Sequence, residues 1–219
     1  MIVRLSKLGN RLQGKTAGRK HYAKICEILA QVQPETVVLL DFEGVENVNG
    51  SWINRAISPL FRWSAESQND FFPVLSHFPQ RDLDELELVA EVNQQCFPVT
   101  TDVNEPVQSV LLVGPLDVSL RTTLQKLMEL GEATGAELAR QVPNADIQPT
   151  AWNNRLKELY DKRLLLRRKQ GRRQIYFLIA KEIGLHGVQR PGSPSKEREE
   201  APGEGNFQNA YAHATPSSR

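Results

Sequence analysis

The sequence predicts an α/β protein whose first half alternates strands and helices and whose second half is mainly helical. Two observations carry this prediction. The apolar run VVLL at residues 37–40 is typical of a strand that is buried on both faces of a sheet. On either side of it, segments 19–32 and 51–67 place apolar residues at helical spacing. This alternation predicts a small α/β sandwich.

The other elements of the first half follow the same alternation. A short strand is predicted at MIVRLSKLG, before the first helix. After the second helix come a strand at FFPVLSHF, an amphipathic helix at RDLDELELVAEVNQQ and a closing strand at CFPVTT. We therefore expect residues 1–104 to form one α/β domain.

The second half predicts three helices followed by a hairpin. Thr134 and Glu137 have the spacing of a capping box, and Pro149 suits the first position of a helix. Two strand-like runs then meet at Gln170 and Gly171, which indicates a hairpin turn.

The predicted boundaries divide the rest of the chain into three segments. Residues 105–115 are a linker or a connecting strand, and residues 116–182 form a second domain. Residues 183–219 are rich in Gly, Pro, Ser and Glu, so they are predicted to be a disordered tail.

The charges are distributed unevenly, although the formal net charge is only +1. Residues 1–106 carry 10 Lys or Arg against 14 Asp or Glu, whereas residues 116–180 carry 12 against 7. An acidic first half and a basic second half indicate different partners, and a nucleic acid is a candidate for the basic half.

Several classes of protein are disfavoured by what the sequence lacks. Cys26 and Cys96 provide no disulfide framework, and no run approaches the roughly 20 apolar residues of a membrane-spanning helix. The N-terminus lacks the apolar region of a signal peptide, so a cytoplasmic protein is expected. No ligand pattern surrounds the four histidines, His21, His77, His186 and His213, so neither a metal nor another cofactor is expected.

Residues 131–179 resemble the winged helix-turn-helix family. The segment AELARQV is similar to the second helix of that family, PTAWNNRLKELYDKRLL to its recognition helix, and the basic hairpin to its wing. One departure is PNADIQ, which is longer than the three- or four-residue turn of the simplest motif. The resemblance implies binding to duplex DNA, although winged helices also serve as protein-interaction modules.

The predicted recognition helix separates an apolar face from a polar face. Trp152 lies four residues before Leu156, so we expect it in the core rather than stacked on a base. Asn153 and Asn154 can pair bidentately with adenine, and basic neighbours can contact phosphates. The alternative is an ordinary solvated helix face. The candidates for contact with DNA on this helix are Thr150, Asn153, Asn154, Arg155 and Lys157.

Five basic residues surround the predicted hairpin turn. They would neutralise phosphates and make binding strongly dependent on salt. The alternative is a solvated positive loop that keeps an edge strand from pairing. These candidates are Arg167, Arg168, Lys169, Arg172 and Arg173.

The segment VVLLDFEGVENVNGSWINRAI resembles the STAS-like family, relatives of the sulfate transporter and anti-sigma-factor antagonist domain. The upstream RLQGKTAGRKHYAKICEIL is similar to the start of that family. The resemblance implies a protein-interaction domain and possible phosphorylation of Ser51, but Asn49 and the bulky Trp52 depart from the antagonist pattern. The alternative is that Ser51 is a helix N-cap.

Asp41 and Glu43 occupy alternate positions at the end of the predicted buried strand. They resemble a catalytic carboxylate pair, but we expect no nucleophile, histidine or phosphate loop beside them. An enzyme is therefore not expected.

The leading hypothesis is a DNA-binding regulator of transcription or an adaptor, in which the STAS-like half binds a protein or a second copy of the chain. One alternative is a partner-switching adaptor that does not bind DNA. Another is a sequence-nonspecific nucleic-acid-binding subunit of a defence or mobile-element complex.

Overall fold

The computed structural model describes residues 1–66, 69–142 and 148–185. They form a mixed α/β structure with six α-helices and a mostly parallel six-stranded sheet. The strands are β1 (Ile2–Arg4), β2 (Arg11–Leu12), β3 (Val37–Asp41), β4 (Asn47–Val48), β5 (Phe72–Ser76), β6 (Phe97–Thr100), β7 (Ser109–Val113), β8 (Glu132–Ala133), β9 (Leu165–Gln170), β10 (Arg173–Leu178) and β11 (Glu182–Leu185). The helices are α1 (Lys15–Leu29), α2 (Gly50–Ser64), α3 (Leu83–Asn93), α4 (Val118–Leu130), α5 (Gly135–Gln141) and α6 (Pro149–Asp161).

The large sheet has the strand order β1-β3-β5-β6-β7-β11. Neighbouring strands are parallel except for β6 and β7. Parallel neighbours need long crossover connections, and α1, α2 and α3 lie in the first three of them. The segment from α4 to β10 lies between the parallel neighbours β7 and β11, so it is itself one long crossover.

Strand β3 is buried on both faces, as the VVLL run predicts. Its side chains alternate between two apolar cores: Val38 and Leu40 belong to one core and Leu39 to the other. The first core is completed by α1, α2 and α3, which cover that face of the sheet with side chains such as Ile25 and Trp52.

The opposite face of the sheet is covered by the second half of the chain. Leu39 and Phe72 from the sheet share a core with Trp152, Leu156 and Tyr160 from α6. Trp152 is buried, which confirms that it belongs to the core. All described residues lie in one compact unit.

An ion pair joins the residues that follow α6 to the residues that precede β5. Arg163 follows α6, is almost fully buried and donates to the carboxylate of Asp70 at 2.7 Å. The Tyr160 hydroxyl donates to the same carboxylate at 2.7 and 2.8 Å. The Arg163 guanidinium also lies 4.9 Å from the centroid of the Phe72 ring.

A second, three-stranded antiparallel sheet has the order β8-β10-β9. Its hairpin turns where the sequence predicts, since Gln170 pairs with Arg173. Gly171 has a φ of +61°, a left-handed conformation that glycine adopts without steric cost. The remaining pair, β2 and β4, forms a short parallel ladder.

The local sequence signals in the second half are confirmed. Thr134 and Glu137 exchange side-chain and backbone hydrogen bonds in a capping box at the start of α5, and Pro149 opens α6. Residues 107–114 contain a strand, β7. Strand β11 includes the first residues of the predicted tail, whereas the rest of that tail, 186–219, and residues 143–147 of the PNADIQ turn lie outside the described residues.

Candidate nucleic-acid interface

A concave pocket with a volume of about 650 Å³ lies between α5, α6 and β10. We call it the basic groove, because four of its lining residues are Arg140, Lys157, Arg172 and Arg173. No Asp or Glu is among the described residues that line it. The other lining residues are Thr134, Ala136, Asn153, Asn154, Gln174 and Tyr176.

The apolar stripe of α6 explains why its polar residues face the groove. Trp152, Leu156 and Leu159 are buried against the second core. Asn153, Asn154 and Lys157 therefore lie on the exposed side of the helix, at the wall of the basic groove. The polar face of α6 thus supplies amide and ammonium groups to one concave surface.

Asn153 has a structural contact as well as a place in the groove. Its Oδ1 accepts a hydrogen bond from the backbone N–H of Gly135 at 3.2 Å. A Cβ atom at position 135 would lie 2.8 Å from the backbone nitrogen of Asn153, so only glycine permits this approach of α5 to α6. Asn154 also lines the groove, and none of the described contacts uses its amide.

Two residues predicted on the recognition helix do not line the groove. Thr150 is exposed in the first turn of α6. The guanidinium of Arg155 lies 5.2 Å from the centroid of the Trp152 ring. Both positions remain close to the groove along the helix, but neither is part of its wall.

The five basic residues of the hairpin divide into two groups. The guanidinium carbon of Arg167 lies 4.0 Å from the centroid of the Tyr160 ring. The guanidinium of Arg168 pairs with the Glu132 carboxylate, with Nη2 and Oε1 2.7 Å apart. Lys169, Arg172 and Arg173 are exposed around the turn. Of the five, only Arg172 and Arg173 line the basic groove.

Lys157 is paired with Asp161 one turn along α6, at 2.6 Å. Both side chains are at least half exposed. Exposed pairs of this kind contribute little to stability, so the Lys157 ammonium can exchange Asp161 for a phosphate at low cost.

The sequence interpretation missed part of the groove wall. Arg140 projects from α5, and Gln174 lies on β10 opposite Lys169. Arg140 could have been noticed as the basic residue of AELARQV. Gln174 could not, because its place depends on how the hairpin packs beside α5.

Burial raises the pKa of the Tyr176 hydroxyl, so this side chain adds no negative charge to the groove near neutral pH.

The N-terminus of α2 corrects the interpretation of Ser51. The N-cap is Asn49, whose side chain accepts from the backbone N–H of Trp52 at 3.0 Å. Ser51 is exposed within the first turn, so the alternative that it is the N-cap is wrong. The carboxylate of Glu85 already accepts from the Gly50 N–H at 2.8 Å, and it would repel a phosphate placed on Ser51.

A second cluster of polar side chains lies in the first half of the chain. His77 lies beside Asp41, with Nδ1 and Oδ1 2.8 Å apart, and one ligand atom each of Asp41, Glu43 and His77 fall within 4.8 Å of one another. The expectation that no histidine accompanies the two carboxylates is therefore wrong. The three residues comprise one nitrogen and two oxygen ligands, a set that can hold a metal ion.

Comparisons of the chain with protein-family profiles, with curated proteins and with solved structures find no match. Among the described helices, none is both long enough and apolar enough to cross a membrane.

Proposed function

We propose that the protein binds duplex DNA through the basic groove and acts as a regulator or adaptor. The observation that carries the proposal is the convergence of Arg140, Lys157, Arg172 and Arg173 on one concave surface that also contains Asn154. Cations at a groove wall suit phosphates, and an amide between them suits a base edge.

The order of elements supports a winged helix-turn-helix architecture for the second half. Helices α4, α5 and α6 precede the hairpin β9–β10, and β8, between α4 and α5, pairs with β10. In this arrangement α6 is the recognition helix and the hairpin is the wing. The basic groove then lies between the recognition helix and the wing.

The first half is proposed to be STAS-like and to bind a protein partner or a second copy of the chain. Its excess of acidic residues favours a partner other than DNA, because like charges repel. The DNA-binding half and the partner-binding half would together form an adaptor.

A second candidate function is nucleic-acid binding without sequence preference, as in an accessory subunit of a larger complex. The contact between Asn153 Oδ1 and Gly135 favours it, because this amide is already used to hold α5 against α6. Base recognition would then depend on Asn154 and Gln174, with phosphate contacts supplying most of the affinity.

The test is binding of fluorescently labelled duplexes, one of random sequence and one selected from a random pool, at several salt concentrations. Neutralising four phosphates should give the logarithm of the binding constant a slope of about −3.6 against the logarithm of salt concentration. The double variant Arg172→Ala/Arg173→Ala should reduce the size of that slope by about 2.

Two control variants distinguish the effect of the groove residues from a general effect of losing positive charge. Lys20→Ala/Lys24→Ala removes the same charge from exposed positions on α1, and Arg168→Ala removes the cation paired with Glu132. Both controls should affect binding less than the groove variant. Equal binding by the wild type and the groove variant would reject the groove, and no binding by the wild type would favour an adaptor that binds only protein.

Asn154→Ala distinguishes specific from nonspecific binding. For a sequence-specific protein, its preference for the selected duplex should fall by about 1–3 kcal/mol while binding to the random duplex is nearly unchanged. A wild type that binds both duplexes equally would support the second candidate function.

A further inference from the structure

Independently of DNA binding, we propose that Asp41, Glu43 and His77 form a binding site for a divalent first-row transition-metal ion such as Zn²⁺. The site lies at the carboxyl ends of the neighbouring parallel strands β3 and β5. Asp41 is the last residue of β3 and pairs in register with Ser76, the last residue of β5. Crevices at this edge of a parallel sheet commonly hold ligands.

The aspartate is held in place before any ion arrives. Its side chain is only 3% exposed, and its Oδ1 accepts from the backbone N–H of Glu43 at 3.1 Å. The same oxygen lies 2.8 Å from His77 Nδ1, and the Ser76 hydroxyl approaches it at 3.5 Å. The Glu43 N–H and the Ser76 hydroxyl orient the carboxylate as outer-shell partners orient the ligands of metal sites, whereas the contact with His77 Nδ1 would be replaced by the ion.

The two loops that carry Glu43 and His77 are fixed to each other and to the sheet. The rings of Phe42 and Phe78 pack edge to face with their centroids 4.9 Å apart. The backbone N–H of His77 donates to the carbonyl of Thr100 at 3.0 Å. His77 has a φ of +50°, and this uncommon backbone conformation directs its ring beside Asp41.

The ligand atoms are close to the separations that a zinc ion requires. Zn–N and Zn–O distances near 2.0–2.1 Å in a tetrahedral site place two ligand atoms about 3.3 Å apart. His77 Nδ1 and Asp41 Oδ1 are 2.8 Å apart, so these two atoms must separate by about half an ångström. The ligand atom of Glu43 lies within 4.8 Å of the other two, so this exposed side chain must move towards them to complete the site. Glu43 is exposed and His77 is 34% exposed, so the ion can be reached from solvent.

The donor types determine which ion the site prefers. An imidazole nitrogen suits Zn²⁺, Fe²⁺ and their neighbours, whereas Mg²⁺ and Ca²⁺ take oxygen ligands. Three protein ligands leave a fourth position for water or another group, the arrangement of catalytic rather than structural zinc sites. The imidazole also distinguishes this cluster from the acidic pairs that are common on protein surfaces.

The test is calorimetric titration of the full-length chain with Zn²⁺, Mn²⁺ and Mg²⁺. His186 and His213, which lie outside the described residues, are replaced by Gln in every protein so that they cannot bind zinc. The parent should bind one Zn²⁺ ion, Mn²⁺ more weakly and Mg²⁺ more weakly still. Binding should also raise its thermal unfolding temperature, because the ion binds the folded chain.

Glu43→Gln and His77→Gln should each weaken Zn²⁺ binding by at least about tenfold, since even outer-shell changes cost about 10–100-fold. Glu46→Gln, at an exposed carboxylate outside the cluster, is the matched control and should bind as the parent does. His21→Gln controls for binding at that histidine. Glu43 and Glu46 are both exposed, so we expect both variants to fold as the parent does.

Three results would overturn the site. The first is the absence of saturable Zn²⁺ binding by the parent. The second is Zn²⁺ binding by Glu43→Gln and His77→Gln that is as tight as binding by Glu46→Gln. The third is a preference for Mg²⁺ that His77→Gln does not change. In the first case the bond between His77 and Asp41 would have only a structural role. Circular dichroism of each metal-free variant verifies that weaker binding does not reflect unfolding.

Discussion

At the scale of single residues, the contact between Trp52 and His21 makes stability depend on pH. Trp52 is fully buried, and its indole N–H donates to His21 Nδ1 at 3.0 Å. Burial lowers the pKa of His21 below its ordinary value of 6.5, and the charges of Lys20 and Lys24 lower it further. The folded chain therefore favours the neutral imidazole, which can accept this hydrogen bond.

We expect the free energy of unfolding to fall as pH decreases from 6.5 towards the lower pKa of His21 in the folded chain. In that window the unfolded chain binds more protons than the folded chain, so stability rises with pH and is greatest above 6.5. The measurement is urea unfolding, followed by tryptophan fluorescence, at pH values on both sides of 6.5.

His21→Gln is the matched control, because an amide oxygen can still accept from Trp52 but does not titrate. The difference in unfolding free energy between wild type and variant should change across the window. A difference that stays constant with pH would show that His21 does not contribute.

Residues within one element could be predicted from the sequence, and residues brought together by the fold could not. The burial of Trp152 follows from its spacing with Leu156. The proximity of His77 and Asp41 depends on β3 and β5 lying side by side, although the two residues are 36 positions apart. No local pattern encodes that neighbourhood.

At the scale of elements, the start of α2 is joined to the start of α1. Asn49 Oδ1 accepts from the Trp52 N–H at 3.0 Å and also from the Gly14 N–H, the residue before α1, at 3.1 Å. One side chain thus satisfies backbone donors at the ends of two helices that pack against each other.

We expect Asn49→Ala to lower the free energy of unfolding by about 2 kcal/mol, the upper end of the range for N-cap removal, because two donors lose their acceptor. Ser51→Ala should change it by less than about 0.5 kcal/mol, since Ser51 is exposed and does not cap the helix. Both values come from urea denaturation. Equal effects of the two substitutions would contradict the assignment of Asn49 as the N-cap.

The elements themselves were largely predictable, because strong local signals agree with the fold. The strand after Thr36, the capping box at Thr134 and the hairpin at Gly171 all form where the sequence indicates them. Strand β11 was missed because it is short and follows a basic hairpin. Its partner, β7, is separated from it by the whole of the second half, so only tertiary pairing stabilises it.

At the scale of the whole molecule, the second core joins the sheet to α6. Phe72 on the sheet packs against Tyr160, and Asp70 pairs with the buried Arg163. A charge as buried as that of Arg163 becomes costly when its partner is removed. The sheet and α6 should therefore lose their structure together.

We expect native-state hydrogen exchange to give the slowest amides of β3 and of α6 the same opening free energy. Asp70→Asn should lower both by about 3 kcal/mol, because it leaves the Arg163 charge buried without its partner. Glu129→Gln, which breaks an exposed pair with Lys126, should lower neither by more than about 0.5 kcal/mol. Exchange of α6 at a clearly smaller free energy than β3 would contradict this coupling.

The crossover between β7 and β11 also has a mechanical consequence. Neighbouring strands of a sheet lie about 4.8 Å apart, but β7 and β11 are parallel, so the second half leaves the sheet at one end of this strand pair and returns to it at the other end. A pulling force applied between Val113 and Glu182 would load the hydrogen bonds of two parallel strands in shear. The ladder would bear the force first, so the second half and its basic groove would stay folded until the β7–β11 hydrogen bonds break.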